Sequence, residues 1–340
     1  MDFISLLIAE PVGFWETIIV FFESFILDYA WAIIVLTICI KIVLTPLDFM
    51  NKKVARDNMR MQEAVAPQLQ KLQKQYANDR MKLNQKTQEL YKGSGYNMVG
   101  SCVIMLINLI LTIVIFFTLF SALHTISSYK IEQQFLQLQQ AYGTAYTEEI
   151  DLGHTEIEAT EAGENAVLTL YSEVQNSFLW VQNIWVPDNP WTNSILTYEA
   201  YVQAVGSEIT EEEYNEVMGI LIAERSGVNG YLITAMIAIL TCFFSQYLMQ
   251  KMNKSKASRA LTQNTPADSQ RQTNKILIII LPIVMGVFTL FYNAIFGLYI
   301  IASQVVSLAT FPLIDKLLNI YYNKKDKNQA QKIKMDYSRK

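Results

Sequence analysis

Histidine and cysteine are nearly missing from this chain of 340 residues, which holds two of the first and three of the second. That scarcity argues against a zinc site and excludes a disulfide framework. Cys39, Cys102 and Cys242 fall in or beside apolar runs and read as small hydrophobes. His124 and His154 stand apart, and two histidines make no metal site without acids that the sequence leaves unplaced. No phosphate loop, nucleophile elbow or zincin helix occurs, so the sequence predicts no enzyme, no cofactor and no metal. Basic residues are absent from the first forty positions and number two, Lys130 and Arg225, between 125 and 229. The opening MDFISLLIAEPVGF lacks a positive n-region and a cleavage site, so no removed signal peptide is expected.

What is abundant is apolar. Hydrophobic residues make up 51% of the chain against 17% charged, and mean hydropathy is +0.19, the balance of a polytopic membrane protein. The first long apolar run, 29–50, carries a cation in its middle, Lys41. A lysine near mid-bilayer costs roughly 3 kcal/mol on insertion scales, so it faces water or a partner and marks function by default. Snorkelling is the plainer reading. Against it, Lys41 lies eleven residues from the basic pair Lys52–Lys53, about 16 Å of helix and too far for its own stem.

Further apolar blocks cover 99–123, 231–249 and a continuous run from 276 to about 313. As one helix the last would be about 57 Å long, roughly twice the hydrocarbon thickness, so it folds back, with 293–297 (NAIFG) the expected turn. The expected fold is all-α, a polytopic membrane protein of five transmembrane helices, 29–50, 99–123, 231–249, 276–293 and 295–314. Lys and Arg crowd 51–97, 250–275 and the tail 315–340, while 124–230 is acidic. The positive-inside rule then sets the N-terminus outside and the C-terminus in the cytoplasm. Residues 1–28 read as an outside segment whose stretch from Phe14, with Glu16 and Glu23, suits an interfacial amphipathic helix.

Within 51–97, Val54, Met61, Val65, Leu69, Leu72 and Tyr76 recur at helical steps, Ala77–Asp79 interrupts them, and Leu83 and Leu90 resume. This pattern predicts a cytoplasmic antiparallel helical hairpin, hinged near Pro46, Gly93 and Gly95. In the acidic region, Thr210 followed by Glu213 is a capping-box start for a helix over 211–225.

With these pieces in order, the chain resembles the YidC/Oxa/Alb family of membrane protein insertases over roughly 30–123 and 246–322. The first block, AIIVLTICIKIVLTPLDFMNKK, is similar to the family's first core span, with a basic residue (Lys41) closely followed by Leu44, Thr45 and Pro46. The hairpin matches through Pro67, Leu72, Tyr76, Leu83, Leu90, Tyr91, Gly95 and Asn97, and Gly100–Cys102 opens the second span. LPIVMGVFTLFYNAIFGLY (281–299) resembles the fourth span and its turn, and FLWVQNIWVPD (178–188) the segment ahead of the third. The family's groove arginine is Lys41 here and its groove glutamine Asn108; the usual prolines are replaced by Ile110 and Asn293, and an aromatic by Ile300. Lysine keeps the charge but loses arginine's planar fork.

The resemblance implies an insertase without nucleotide chemistry, in the bacterial cell membrane. It would move short polar client segments through a hydrophilic groove and release their apolar spans into lipid. The implied partners are nascent membrane-protein clients and membrane lipid, with the Sec translocon and the ribosome as further candidates; no nucleic acid binding is expected beyond ribosome contact. Lys41 and Asn108 are the groove residues so implied. Around them, Thr37, Lys41 and Thr45 are spaced by four and share one face, as do Asn108 and Thr112; Gln246, Ser303 and Gln304 add polar groups. Serines and threonines also serve as ordinary packing residues between membrane helices. A transporter or channel using Lys41 for an ion or proton is the rival, and a membrane-anchored scaffold a third reading.

Overall fold

The computed structural model describes residues 10–26, 28–93, 98–252 and 266–338. It holds ten helices among them: α1 (Phe14–Ile26), α2 (Tyr29–Gln75), α3 (Arg80–Gly93), α4 (Met98–Asp151), α5 (Glu156–Val174), α6 (Tyr198–Val205), α7 (Glu211–Arg225), α8 (Ile233–Met252), α9 (Pro266–Phe291) and α10 (Ala294–Ser338). Two isolated bridges, Phe178 with Val181 and Asn193 with Val228, are the β pairing recorded among the described residues. The protein is all-α. Among the described residues, four helices are long and apolar enough to cross a membrane, in α2, α4, α8 and α10, and the described part Ile279–Phe291 of α9 is a shorter apolar helix. Large apolar side chains such as Leu106, Phe117, Phe244, Ile283 and Val305 stand exposed on these helices, the surface that lipid covers. Of the expected loop at 250–275, residues 253–265 lie outside the described residues, as do Gly95 and Asn97.

The chain divides into two compact units. The first comprises 1–38, 115–240 and 282–302. Its α4 segment packs on the junction of α9 and α10 through aromatic rings: Phe120 lies 4.5 Å from Tyr292 and 5.1 Å from Phe296, edge to face. Gly286 lets α8 and α9 approach closely, since a Cβ there would come 2.4 Å from Ile239. The helix break falls at Tyr292–Asn293, the first residue of the expected turn, and 294–297 already belong to α10. Asn293 caps the start of α10: its Oδ1 accepts from Phe296 N–H, and its Nδ2 donates to Ser127 Oγ at 2.6 Å.

The segment 178–189 ties three of these helix ends together. Asp188, fully buried, accepts from Thr234 N–H at the start of α8 and from the Trp180 indole. The carbonyls of Val186 and Ile184 accept from the N–H groups of Ala294 and Ile295, orphan donors at the start of α10. Asn189 Nδ2 donates to the Leu290 carbonyl near the end of α9. Asn229 locks the segment from the other side, facing the carbonyls of Asn183, Val186 and Pro187 and accepting from Asn183 N–H. Gly230 is needed beside it, because a Cβ there would fall 1.8 Å from Asp188 Oδ1.

The region 124–230 is a folded helical domain. It is built on the far half of α4, where Ile131, Phe135, Leu138 and Tyr142 form a buried stripe at helical spacing. Here α5 and α6 pack on α7, and Phe135, Tyr201 and Tyr214 cluster at ring separations of 4.8 to 5.4 Å. Both α5 and α7 start in capping boxes, Thr155 with Glu158 and Thr210 with Glu213. The threonine backbone and hydroxyl hydrogen bonds hold both carboxyls below their usual range. Each carboxylate therefore favours the folded cap above its unfolded value, and that contribution fades as pH falls through the lowered one.

Candidate functional site

The second unit comprises 39–114, 241–281 and 303–340, and contains Lys41, Thr45, Asn108, Thr112, Gln246, Ser303 and Gln304. Thr37 falls in the first unit, buried, with its hydroxyl donating to the Ile33 carbonyl. Two candidate hydroxyls are used within their own helices: Thr45 donates to the Lys41 carbonyl and Thr112 to that of Asn108. For these threonines the packing reading holds at least in part. Lys41, Asn108, Gln246 and Gln304 are half-buried side chains, Ser303 is buried and Thr112 exposed.

The residue that sequence reasoning passes over is Asp48. Lys41, Thr45, Asp48 and Lys52 follow one another at steps of four, three and four, so they share one face of α2. Lys41 and Asp48 lie within electrostatic reach of each other, and Asp48 likewise of Lys52. No ion pair within 4 Å involves Lys41 among the described residues. The stripe thus carries polarity from the intramembrane lysine toward the basic end of the helix. In the opposite direction it stops at Thr37, beyond which Ile33 and Ala30 are buried and apolar. The signal that could have found it is a carboxylate seven residues, two turns, from Lys41.

Beyond Lys52 the stripe becomes a clamp on α10. Lys52 Nζ donates to the Phe311 carbonyl at 3.0 Å and sits 4.4 Å above the Phe311 ring. Arg56 pairs with Asp315 at 2.8 Å and with Asn319, and Arg60 pairs with Asp326 and lies over Tyr322. The Tyr322 hydroxyl donates to Asp57 at 2.7 Å. Phe49 packs on a buried cluster of Ile314, Leu318 and Tyr322 below these pairs. Pro46, expected near a hinge, therefore sits inside an unbroken α2 whose next turns are anchored. Past the clamp, α2 ends at Gln75, a turn over 76–78 follows, and Asp79 caps α3 by accepting from Lys82 N–H. In a double-mutant cycle the half-buried pair Arg56–Asp315 should show a coupling of about 1 kcal/mol or more. The exposed pair Arg60–Asp326 should stay near 0.5 kcal/mol or below. Thermal unfolding of the detergent-solubilised protein measures both, and equal couplings would contradict the assignment.

No three His, Cys, Asp or Glu side chains converge on a metal-sized site among the described residues. His154, at the end of α4, engages Glu149, whose hydrogen bond holds its imidazole above the usual range.

Comparison with known proteins adds a family. The model of the 60Kd inner membrane protein family matches residues 21–321. Membrane protein insertase YidC of Leptospira interrogans (serovar Lai) is 30% identical over 171 residues, 50% of this chain and 19% of that protein. The protein of the same name from Lawsonia intracellularis is 37% identical over 117 residues, 34% of this chain and 20% of that protein. The one from Azotobacter vinelandii is 36% identical over 102 residues, 30% and 17% respectively. The matched stretches thus take up about a fifth of these relatives' own length.

Proposed function

The chain belongs to the YidC/Oxa/Alb family, the 60Kd inner membrane protein family, and on that premise we propose that it is a membrane protein insertase of the bacterial cell membrane. Five spans are assigned to α2, α4, α8, α9 and α10, with the N-terminus outside and the C-terminus in the cytoplasm. Lys41 and Asn108 line a hydrophilic groove open to the cytoplasm and to lipid, flanked by Thr45, Thr112, Gln246, Ser303 and Gln304. The clients are nascent membrane proteins, and the Sec translocon and the ribosome are its candidate suppliers.

The observation that carries this reading is the one-sided polar stripe on α2. Water that reaches Lys52 can follow Asp48 and Thr45 to Lys41, which removes the cost of placing a bare cation in hydrocarbon. A short polar client segment entering that path exchanges bulk water for groove water and fixed polar groups. Lys41 pairs transiently with its acidic side chains. The client's apolar span then partitions sideways into lipid, driven by burial of its area. The apolar part of α9 in the sequence, sixteen residues over 276–291, spans about 24 Å, less than the roughly 30 Å of a hydrocarbon core, so the bilayer thins beside it and the crossing shortens. The transporter reading gains nothing from the fold or from the relatives' names.

Expression of this chain in a bacterium depleted of its own insertase should restore insertion of a small one- or two-span client, scored by protease protection of the client's outer segment. A membrane-embedded chain that leaves the client unprotected would overturn the reading.

A further inference from the structure

The helical domain carries a cleft that insertion through the membrane segments does not explain. It has a volume of about 330 Å³ and lies within the first unit, where α1, α4 and the chain after α5 meet the first residue of α2, Tyr29. Its walls are almost entirely polar. Gln133 and Gln137 stand four residues apart on one face of α4, and Gln175, Asn176 and Ser177 face them from the extended stretch that follows α5.

Part of this polarity is structural. Lys130 sits 3.7 Å from Glu23 and 4.8 Å from the centre of the Tyr29 ring, and its Nζ donates to Gln133 Oε1 at 3.0 Å. Those contacts fix α1 against α4 and satisfy the ammonium. Gln134 and Asn176 both donate to the Val174 carbonyl, which leaves their side-chain oxygens as acceptors. Asp28 accepts from Trp31 N–H at the start of α2.

The remaining groups have no such duty. Gln137, Glu173, Gln175 and Ser177 make no side-chain hydrogen bond among the described residues, and the Nε2 of Gln133 is left over once its oxygen has accepted from Lys130. Carboxamides are chemically the peptide group on a short stem, each with two donors and an acceptor. Amides on two facing walls therefore match the alternating N–H and C=O of an extended main chain, whatever side chains that chain carries. The size is that of a small ligand site, enough for a few residues. Three carboxylates, Glu23, Asp28 and Glu173, against one lysine admit neutral and basic segments more readily than strongly acidic ones.

We propose that this cleft binds the polar segment of a client after it has crossed, gripping its main chain through the amides of Gln133, Gln137, Gln175 and Asn176. The proposal rests on the insertase reading and on the outward orientation of this domain. The domain would then retain the translocated segment beside the outer end of the first span, so that the segment does not slip back before the client's apolar helix has left for lipid.

The test uses the full chain in membranes, with the native cysteines replaced, and a single-span client whose N-terminal polar tail of neutral residues carries one cysteine. With a mild chemical oxidant added during insertion, Gln137→Cys should form a disulfide with the tail, and Gln139→Cys, exposed on another face of the same helix, should do so at least fivefold less. Pairing Gln133→Ala with Ser177→Ala should lower the Gln137→Cys adduct severalfold while the protein's gel-filtration profile in detergent stays that of the parent. If the client inserts normally and Gln137→Cys gives no more adduct than Gln139→Cys, the cleft proposal is wrong and the insertase reading stands. Failure of the client to insert even with the parent chain would remove the insertase reading, and this proposal with it.

Discussion

Replacing Lys41 by leucine should slow insertion of a small one- or two-span client by about tenfold or more, a rise of roughly 1.4 kcal/mol in the limiting barrier. Leucine makes the first span a better membrane helix, so the variant should reach the membrane in normal amounts. What it removes is the only cation between the Tyr29 end of α2 and Lys52. Asp48 then loses one of the two lysines within its electrostatic reach and keeps Lys52 alone. The polar path shortens from the Lys41 end and a client's acidic residues lose their transient partner. Lys41→Arg should retain activity, because the groove needs charge more than lysine's particular shape. The assay is client protection in depleted cells complemented by each variant. Full insertion by the leucine variant would sink the charge hypothesis and leave the family assignment intact.

The second large effect concerns the helical pair beyond the clamp. A short Gly/Ser linker in place of 65–90 should give a folded, membrane-embedded protein that fails to insert clients. The structure supports the folded half of that expectation. The polar contacts of Lys52, Arg56, Asp57 and Arg60 with α10, and the packing of Phe49 on its buried cluster, lie before the excised stretch, which itself removes the buried Val65, Ala66 and Leu69. The failing half follows from composition: ten basic side chains against four acidic ones over 51–97 make a surface suited to receiving a client or its delivery machinery. Separating the two halves takes two readings, gel-filtration behaviour of the purified variant and client insertion in depleted cells. Insertion at the parental rate would reduce the pair of helices to a connector.

Much of this molecule was legible because it rests on local signals. Apolar runs of bilayer length announced the four helices that are long and apolar enough to cross a membrane, the helix break after α9 follows from length alone, and Thr210 with Glu213 announced α7 at its true start. The same signature at Thr155 and Glu158 starts α5 equally well. The stripe Ile131, Phe135, Leu138, Tyr142 continues α4 about 40 Å past the expected end of its span. Both were readable and were masked by the acidic composition around them. Other features were out of reach. The Arg56–Asp315 pair joins residues 259 apart, and Asn229 reaches Asn183 across 46. The sequence segment 178–188 resembles a family motif, but only the structure ties it to the ends of α8, α9 and α10. The insertion that separates it from α8 leaves and returns at one point, where Ser194 N–H donates to the Gly227 carbonyl and Asn229 N–H to that of Thr192. Lys41 was visible as a misplaced charge. Asp48 was not, since at the edge of a span an acid reads as flanking sequence until its helical face is known.

The central claim is that Lys41 lies in a groove wet from the cytoplasm and sealed from the outside. Sided labelling of Lys41→Cys, in a chain whose native cysteines have been replaced, tests it most directly. A small thiol reagent presented from the cytoplasmic side of inverted vesicles should modify the cysteine, while an impermeant reagent outside intact cells should leave it untouched. Modification from the outside alone would contradict both the orientation and the groove.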